Sequence, residues 1–416
     1  MALLAAAALL LTACGRTADD PGTASAAVVS DGPATGTVSI WAMGAEAEKL
    51  PELLRAFKDQ NPEVDVQVTA VPWPSGHDKF QAAIAAGTTP DIGQMGTTWM
   101  GEFAEAKAFA PTPGNLGAGS FYPGSVDSTK VGGGTFGVPW YVDTAVLYYR
   151  TDLAHQAGFD SAPANWDQLR ALAAAMQQKA GARYGISLPP KDFQAFLPFA
   201  WSAGAKLATD DGTKWTLDSP QMRDALAYYQ KFFTDGLADK HPSTETGAGE
   251  NDFVKGTVPM FIGGAYEVGE FTKLGGPDFA NKYATATVPA KESGTGTSFV
   301  GGSDLVVFKQ AKNPDAAWKL AKFLAKPEIQ AQWYKMTGDL PAVPQAWDDP
   351  TLRDDPKLAV FGQQLKSVQS PPASTRWAQV QETASQQTEQ LTTGTKDVDA
   401  VVRAIQSAAT SIGTGR

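Results

Sequence analysis

Residues Thr37 to Val68 read TVSIWAMGAEAEKLPELLRAFKDQNPEVDVQV, and this stretch decides the fold. Val38-Ser39-Ile40 alternates as a short strand. From Glu46 to Gln60 the apolar residues Leu50, Leu53, Leu54 and Phe57 recur at helical spacing, and Asn61-Pro62 stops the helix. Val64, Val66 and Val68 then alternate again. The spacing predicts a β-α-β unit, hence a parallel or mixed sheet with helices on its faces. The same grammar continues with a helix from about His77 to Ala86 and a short buried strand at Pro90-Asp91-Ile92-Gly93-Gln94-Met95. The N-terminal lobe is expected to be α/β.

Upstream, Met1 to Ala13 is the apolar run MALLAAAALLLTA. As a helix it spans only about 20 Å of a roughly 30 Å hydrocarbon core, so it reads as a targeting segment. Leu11-Thr12-Ala13-Cys14-Gly15 resembles a bacterial lipobox, which implies a diacylglyceryl group on the thiol of Cys14 and cleavage before it. The basic n-region usual in such peptides is missing, so the true start is expected a few residues upstream. Gly15 to Gly36 has almost no large apolar residue and reads as a tether, with a reach of roughly 25 Å as a flexible coil. Residues 1–13 are thus expected as signal peptide and 14–36 as lipidated cysteine and tether.

Downstream, Gly132-Gly133-Gly134-Thr135-Phe136-Gly137 formally matches G-x-G-x-x-G. It leads into the extended Val138-Pro139-Trp140-Tyr141-Val142 rather than a helix, so a hairpin turn is expected and not a dinucleotide site. A strand follows at Ala145–Tyr149. Asn165 and Ser219-Pro220 each open a helix, the second burying Ala225, Leu226, Tyr229, Phe232 and Phe233. Strands are expected at Val258–Ile262 and Leu305–Phe308. Helices follow Asn313-Pro314 and Pro327, the latter closed by Gly338, and two amphipathic helices end the chain.

With 416 residues the chain exceeds a typical single domain, so two lobes are expected. Lys and Arg number 34 against 44 Asp and Glu, a net charge of −10, the wrong sign for broad binding to nucleic acid. Cys14 is the single cysteine, so no internal disulfide or multi-cysteine metal site can form. His77, His155 and His241 stand apart from one another, which argues against a zinc site. Asp210-Asp211-Gly212 lacks the terminal Glu of a calcium loop and reads as a hairpin turn, and neither a G-x-S-x-G elbow nor a Walker motif occurs. No cofactor is expected.

Aromatic residues are abundant, with 11 Trp, 10 Tyr and 20 Phe. Trp41, Trp73, Trp99, Trp140, Trp201 and Trp377 abut Gly, Pro, Ser or polar residues. A pyranose has an apolar C–H face and a rim of hydroxyls, so a sugar site wants flat rings together with Asp, Glu, Asn or Arg. The lipobox, the opening VSIWAMG, Pro90-Asp91-Ile92, GVPWYVD at 137–143, LYYRTD at 147–152, GGSD at 301–304 and KNPDAAWKLAKFLAKPEIQ at 312–330 together resemble the extracellular solute-binding proteins of carbohydrate ABC importers, a family that includes maltose- and oligosaccharide-binding members.

That resemblance implies two α/β lobes of the periplasmic-binding-protein-like (type II) fold, hinged around a central cleft. It places lobe I at 37–142 plus 291–345 and lobe II at 143–290 plus 346–416, with crossings near Asp143, Ala290 and Ala346. Met43, Glu46, Thr98, Trp99, Tyr141, Asp143, Trp201, Tyr266, Glu267, Gly301, Gly302, Ser303 and Arg376 are then expected to face the cleft. Trp99, Trp201 and Tyr266 would stack on sugar rings, Glu46, Asp143, Glu267 and Arg376 would bond hydroxyls, and the two glycines would admit the ligand close to the backbone.

The function implied is that of a monomeric, lipid-anchored receptor on the outer face of a bacterial cell membrane, without catalysis of its own. It would capture a neutral di- or oligosaccharide, with a lean to glucosides, and present it to permease subunits. Two alternatives stay open from the residues themselves. A surface-anchored glycosidase would also need aromatics and paired carboxylates. A binding protein for a polyamine would need converging carboxylates, and one for a glycerophosphoryl compound would need converging basic groups or an open helix N-terminus.

Overall fold

The computed structural model describes residues 28–116, 120–245 and 247–415, so the expectations for residues 1–27, including Cys14, lie outside the described residues. The opening β-α-β unit forms as its apolar spacing dictates. Strand β1 (Gly36–Met43) pairs in parallel with β2 (Val64–Val71), and the intervening helix Gly44–Gln60 buries Leu50, Leu53, Leu54 and Phe57 against them. Asn61 ends that helix; its Nδ2 donates to the Phe57 carbonyl at 2.7 Å while Oδ1 accepts the Ala34 N–H at 2.6 Å. The next helix begins at Trp73, four residues before the expected start, because Pro74 suits a first helical turn; Gly87, at φ 68°, closes it.

Strand β3 (Ile92–Gly96) follows on the other side of β1. The glycine run makes a hairpin in which β4 (Lys130–Val131) pairs with β5 (Gly134–Thr135), with Gly132 and Gly133 both at positive φ as a two-residue loop of this twist requires. Strand β6 (Val138–Thr144) belongs to the large sheet, whereas β7 (Val146–Arg150), β8 (Met260–Gly263) and β9 (Tyr283–Ala286) form a separate antiparallel sheet. Strand β10 (Ser298–Val307) returns to the large sheet, inserted antiparallel between β3 and β6; β11 (Leu340–Pro341) pairs with β6 and β12 (Val368–Gln369) with β10. The chain therefore leaves the large sheet at Ala145 and re-enters it at Ser298.

The helices Trp166–Lys179, Phe193–Ser202, Pro220–Thr234, Trp377–Thr392 and Val398–Ile412 bury an aromatic-rich core of their own on the second lobe. Asn165, Asp192, Ser219 and Asp397 cap four of them by accepting backbone N–H groups. The Pro90-Asp91-Ile92 motif is structural: the buried Asp91 carboxylate accepts N–H groups from Ser39, Lys312 and Asn313, tying β1 to the helix Pro314–Leu324.

The expected tether ends earlier than Gly36. Val29 and Ala34 are buried, Val29 exchanges two hydrogen bonds with the side chain of Asn115, and Ser30 bonds Asp315 through both its N–H and its hydroxyl. Small residues pack here because the lobe itself offers the partners that the segment lacks.

Candidate functional site

Three strands of the large sheet bring their carboxyl ends to one place. β1 ends at Met43 and runs into its helix, which puts Glu46 in the first turn; β3 ends at Gly96 and runs into the helical turn Thr97–Trp99; β6 carries Tyr141 and Asp143 near its end. β10 lies between β3 and β6, so Ser303 sits opposite both Gly96 and Tyr141, and Gly301 opposite Asp143. The register thereby gathers side chains that are far apart in sequence.

The Tyr141 hydroxyl donates to Glu46 Oε1 at 2.9 Å and accepts from the Ser303 hydroxyl at 3.0 Å. Gln94 on β3, fully buried, joins the same network. Asp339 immediately precedes β11, whose Leu340 pairs with Val142, and so it stands next to Asp143; the Trp333 indole donates to its Oδ2 at 2.9 Å. Glu46, Asp143 and Asp339 make no ion pair with Lys or Arg among the described residues.

Electrostatics follow from that crowding. Asp143 is open to solvent, yet protein walls displace much of its hydration, and this together with repulsion from Glu46 raises its pKa. Burial first, then Glu46 and Asp143, push Asp339 up to about 7, partly offset by hydrogen bonds from Thr337 and Trp333. Burial, followed by Asp339 and Glu46, raises the Tyr141 phenol, which therefore stays a neutral donor.

On the second lobe, β8 ends at Gly263 and a turn leads into the helix Glu267–Gly275. Tyr148 holds that turn by donating to the Gly264 carbonyl at 2.7 Å. Tyr266 is 67% exposed, an open aromatic face. Glu267 beside it is only 5% exposed and its Oε2 has no partner among the described residues. A helix N-terminus favours a charged carboxylate, but burial outweighs it here and lifts Glu267 to about 7; the Tyr266 hydrogen bond opposes the rise and Glu250 and Glu270 add to it.

A third group lies beyond β3. The Trp99 ring lies 5.6 Å from that of Trp73 and 5.6 Å from that of His77, and the His77 Nε2 meets Glu102 at 3.0 Å. Thr98 beside it is exposed.

Other expected site residues are placed differently. Trp201 is 5% exposed within the helical core, because it continues the buried stripe of Phe193 and Leu197; it has no open face for stacking. Trp140, stacked on Trp333 at 4.8 Å, and Trp377 are core residues as well. Met43 is buried, its N–H bound to Gln94 Oε1 at 2.7 Å. Ser303 is buried and acts within the network. Gly302, at φ 115°, is required by the sheet itself, since a Cβ there would meet the Val142 Cα at 2.8 Å, and a Cβ on Gly301 would meet the Phe299 ring. Arg376 is exposed at the start of the helix Trp377–Thr392 and forms no ion pair among the described residues. Gln94 and Asp339 had not been expected. A polar residue within the apolar run IGQMG is the signal for the first; Asp339 follows a helix-closing glycine and carries none.

Two sheets joined by crossings of the chain, with polar side chains gathered beyond strand ends, define a two-lobed solute-binding fold. Comparison with known proteins agrees. Residues 17–331 match the family model of the bacterial extracellular solute-binding proteins. The sugar-binding protein MalE of the phytopathogen Xanthomonas citri superposes with a TM-score of 0.85 at 32% identity, covering 91% of this chain and 97% of that one. The diacetylchitobiose-binding protein of Streptomyces coelicolor is 25% identical over 80% of this chain and 78% of its own length, and the galactooligosaccharide-binding protein of Bacillus subtilis 25% identical over 84% and 81%. The chain belongs to the bacterial extracellular solute-binding proteins. It is the extracytoplasmic binding component of an ABC importer, not an enzyme.

Proposed function

We propose that the chain captures a neutral di- or oligosaccharide between its lobes and delivers it to a membrane permease, acting as a monomer held at the membrane by lipid on Cys14. The observation that carries this reading is the polar cluster of Glu46, Tyr141 and Asp143 beyond the strand ends of one lobe, combined with the open ring of Tyr266 on the other. Carboxylates accept sugar hydroxyls, and the flat ring covers a C–H face. Trp99 and Thr98 extend the surface on the first lobe, and Glu267 and Arg376 are further hydroxyl partners. The resemblance implies lobe limits of 37–142 plus 291–345 and 143–290 plus 346–416; we shift the first crossing so that Asp143 and Thr144, which end β6, count with lobe I. Residues 28–36 are assigned to lobe I.

The test is tryptophan fluorescence of a soluble form starting at Val28, titrated with a panel of glucosides and other oligosaccharides. Saturable micromolar binding to one sugar series is expected, and Asp143→Ala should weaken it at least tenfold. No response to any sugar would overturn the reading.

One observation favours a second reading. Glu46, Asp143 and Asp339 crowd together without a cation, which suits a solute bearing a positive charge such as a polyamine. Polyamines therefore belong in the panel, and a response to them with silence across the sugars would select this alternative. No Lys or Arg pairs with the cluster among the described residues, so a glycerophosphoryl compound would have to rely on an open helix N-terminus.

A further inference from the structure

We infer that Gln94 is a positioning residue of the ligand site: from β3 it fixes the hydrogen-bond polarity and the orientation of the Glu46 carboxylate, Tyr141 and Ser303. This inference rests on the reading that Glu46 and Tyr141 contact the solute. Gln94 is completely buried, and its surroundings leave its amide one orientation. The Met43 backbone N–H can only donate, and it does so to Oε1 at 2.7 Å. Nε2 must then point to the opposite side, where Glu46 Oε1, the Tyr141 hydroxyl and the Ser303 hydroxyl each lie 3.3 Å away.

The polarity of the whole network follows. Glu46 can only accept, so Tyr141 spends its single proton on Glu46, at 2.9 Å, and its oxygen takes donors from Gln94 and Ser303. Both hydrogen bonds to Glu46 among the described residues fall on Oε1. The amide of Gln94 thereby joins four chain segments, the end of β1, β3, β6 and β10, at the point where their side chains meet the cleft. A carboxylate held in this way reaches the ligand without losing side-chain entropy on binding.

Gln94→Glu separates this role from a packing role. It keeps the shape and the acceptor for Met43 N–H but replaces the donor with a second carboxylate against Glu46, with Asp143 and Asp339 nearby and the neutral Tyr141 and Ser303 hydroxyls completing the surroundings. Like charges at this range, in a buried setting, raise the proton affinity of the new carboxyl above that of an isolated glutamate. The Kd of Gln94→Glu for the sugar identified above is expected to exceed that of the unmodified protein at least tenfold at pH 8, with the ratio shrinking toward one at pH 6 as the new carboxyl takes up a proton. Gln94→Met, which removes donor and acceptor together, should weaken binding at both pH values alike. Melting curves of each variant establish that it is folded before titration.

Glu46→Gln and Tyr141→Phe are titrated alongside. Loss of affinity in those two, with Gln94→Glu binding as the unmodified protein at pH 8, would overturn the positioning role and leave the site standing. Unchanged affinity in all of them would overturn the site together with the role.

Discussion

Asp304 lies on β10 with 1% of its surface exposed; the Ser128 hydroxyl donates to Oδ2 at 2.8 Å and Oδ1 has no partner among the described residues. Burial lifts its pKa to about 7, against the hydrogen bond from Ser128. A carboxyl with a raised pKa binds its proton more tightly in the folded state than in the unfolded one, where it titrates near 4. Stability therefore falls as pH rises from about 4 to about 7 and then levels off. Asp339 and Glu267, each near 7, act in the same direction. The melting temperature of the ligand-free protein should drop between pH 5 and pH 8, and Asp304→Asn should flatten the slope and raise stability at pH 8. A slope unaltered by that substitution, measured by calorimetry, would remove Asp304 as its source. At this scale the sequence was partly readable. Glu46, Tyr141 and Asp143 came from the family resemblance, and the strand pairing brings their side chains to one place. Trp201 was expected in the cleft from the family resemblance, whereas its spacing of four and eight from Leu197 and Phe193 sets it on the core stripe. Asp339 was invisible, because only the pairing of β11 with β6 brings it beside Asp143.

Among the elements, β6 and β10 carry the greatest demand, since β10 runs antiparallel between β3 and β6 and shifts register between Ser303 and Asp304. Gly302 occupies this junction at φ 115° against the backbone of Tyr141 and Val142. Gly302→Ala should cost about 2 kcal/mol or more, because it adds both a strained φ and a clash with backbone that cannot move aside. It should also weaken solute binding by displacing Tyr141; denaturant melts and titration of the folded fraction check both effects. A variant as stable as the original would show that the strand pair tolerates displacement here. Helices with strong apolar periodicity and a cap, such as Trp166–Lys179 and Pro220–Thr234, could be read directly from the sequence. The first half of β10 could not. The run SFVGGSD has neither alternation nor β-branched density, and its extended form is imposed by two flanking strands. Likewise the helix that begins at Glu267 is a local start with no side-chain cap to announce it.

For the whole molecule, the N-terminal segment and the site occupy opposite ends of β1. Eight residues from Gly36 to Met43 separate them by about 23 Å. Residues 29–34 brace the far end through Asn115, Asp315 and Asn61. A soluble form starting at Gly36 should accordingly be less stable than one starting at Val28 by about 2 kcal/mol, from the lost hydrogen bonds and the newly exposed apolar surface. Its Kd for solute should stay within about twofold. Equal melting temperatures would mean that the brace contributes nothing, and a large change in Kd would mean that the two ends of the strand are coupled. The two-lobed plan was legible from length and from the order of the motifs. A crossing near Asp143 followed from the family resemblance alone; apolar periodicity does not mark the change of sheet at Ala145, since the residues on both sides of it are equally apolar and extended. The placement of the N-terminal brace has a practical consequence for handling the protein. A fluorophore, an affinity tag or a sensor surface coupled ahead of Val28 is attached at the end of the lobe remote from the candidate site, so an immobilised receptor should keep that site turned toward the analyte stream.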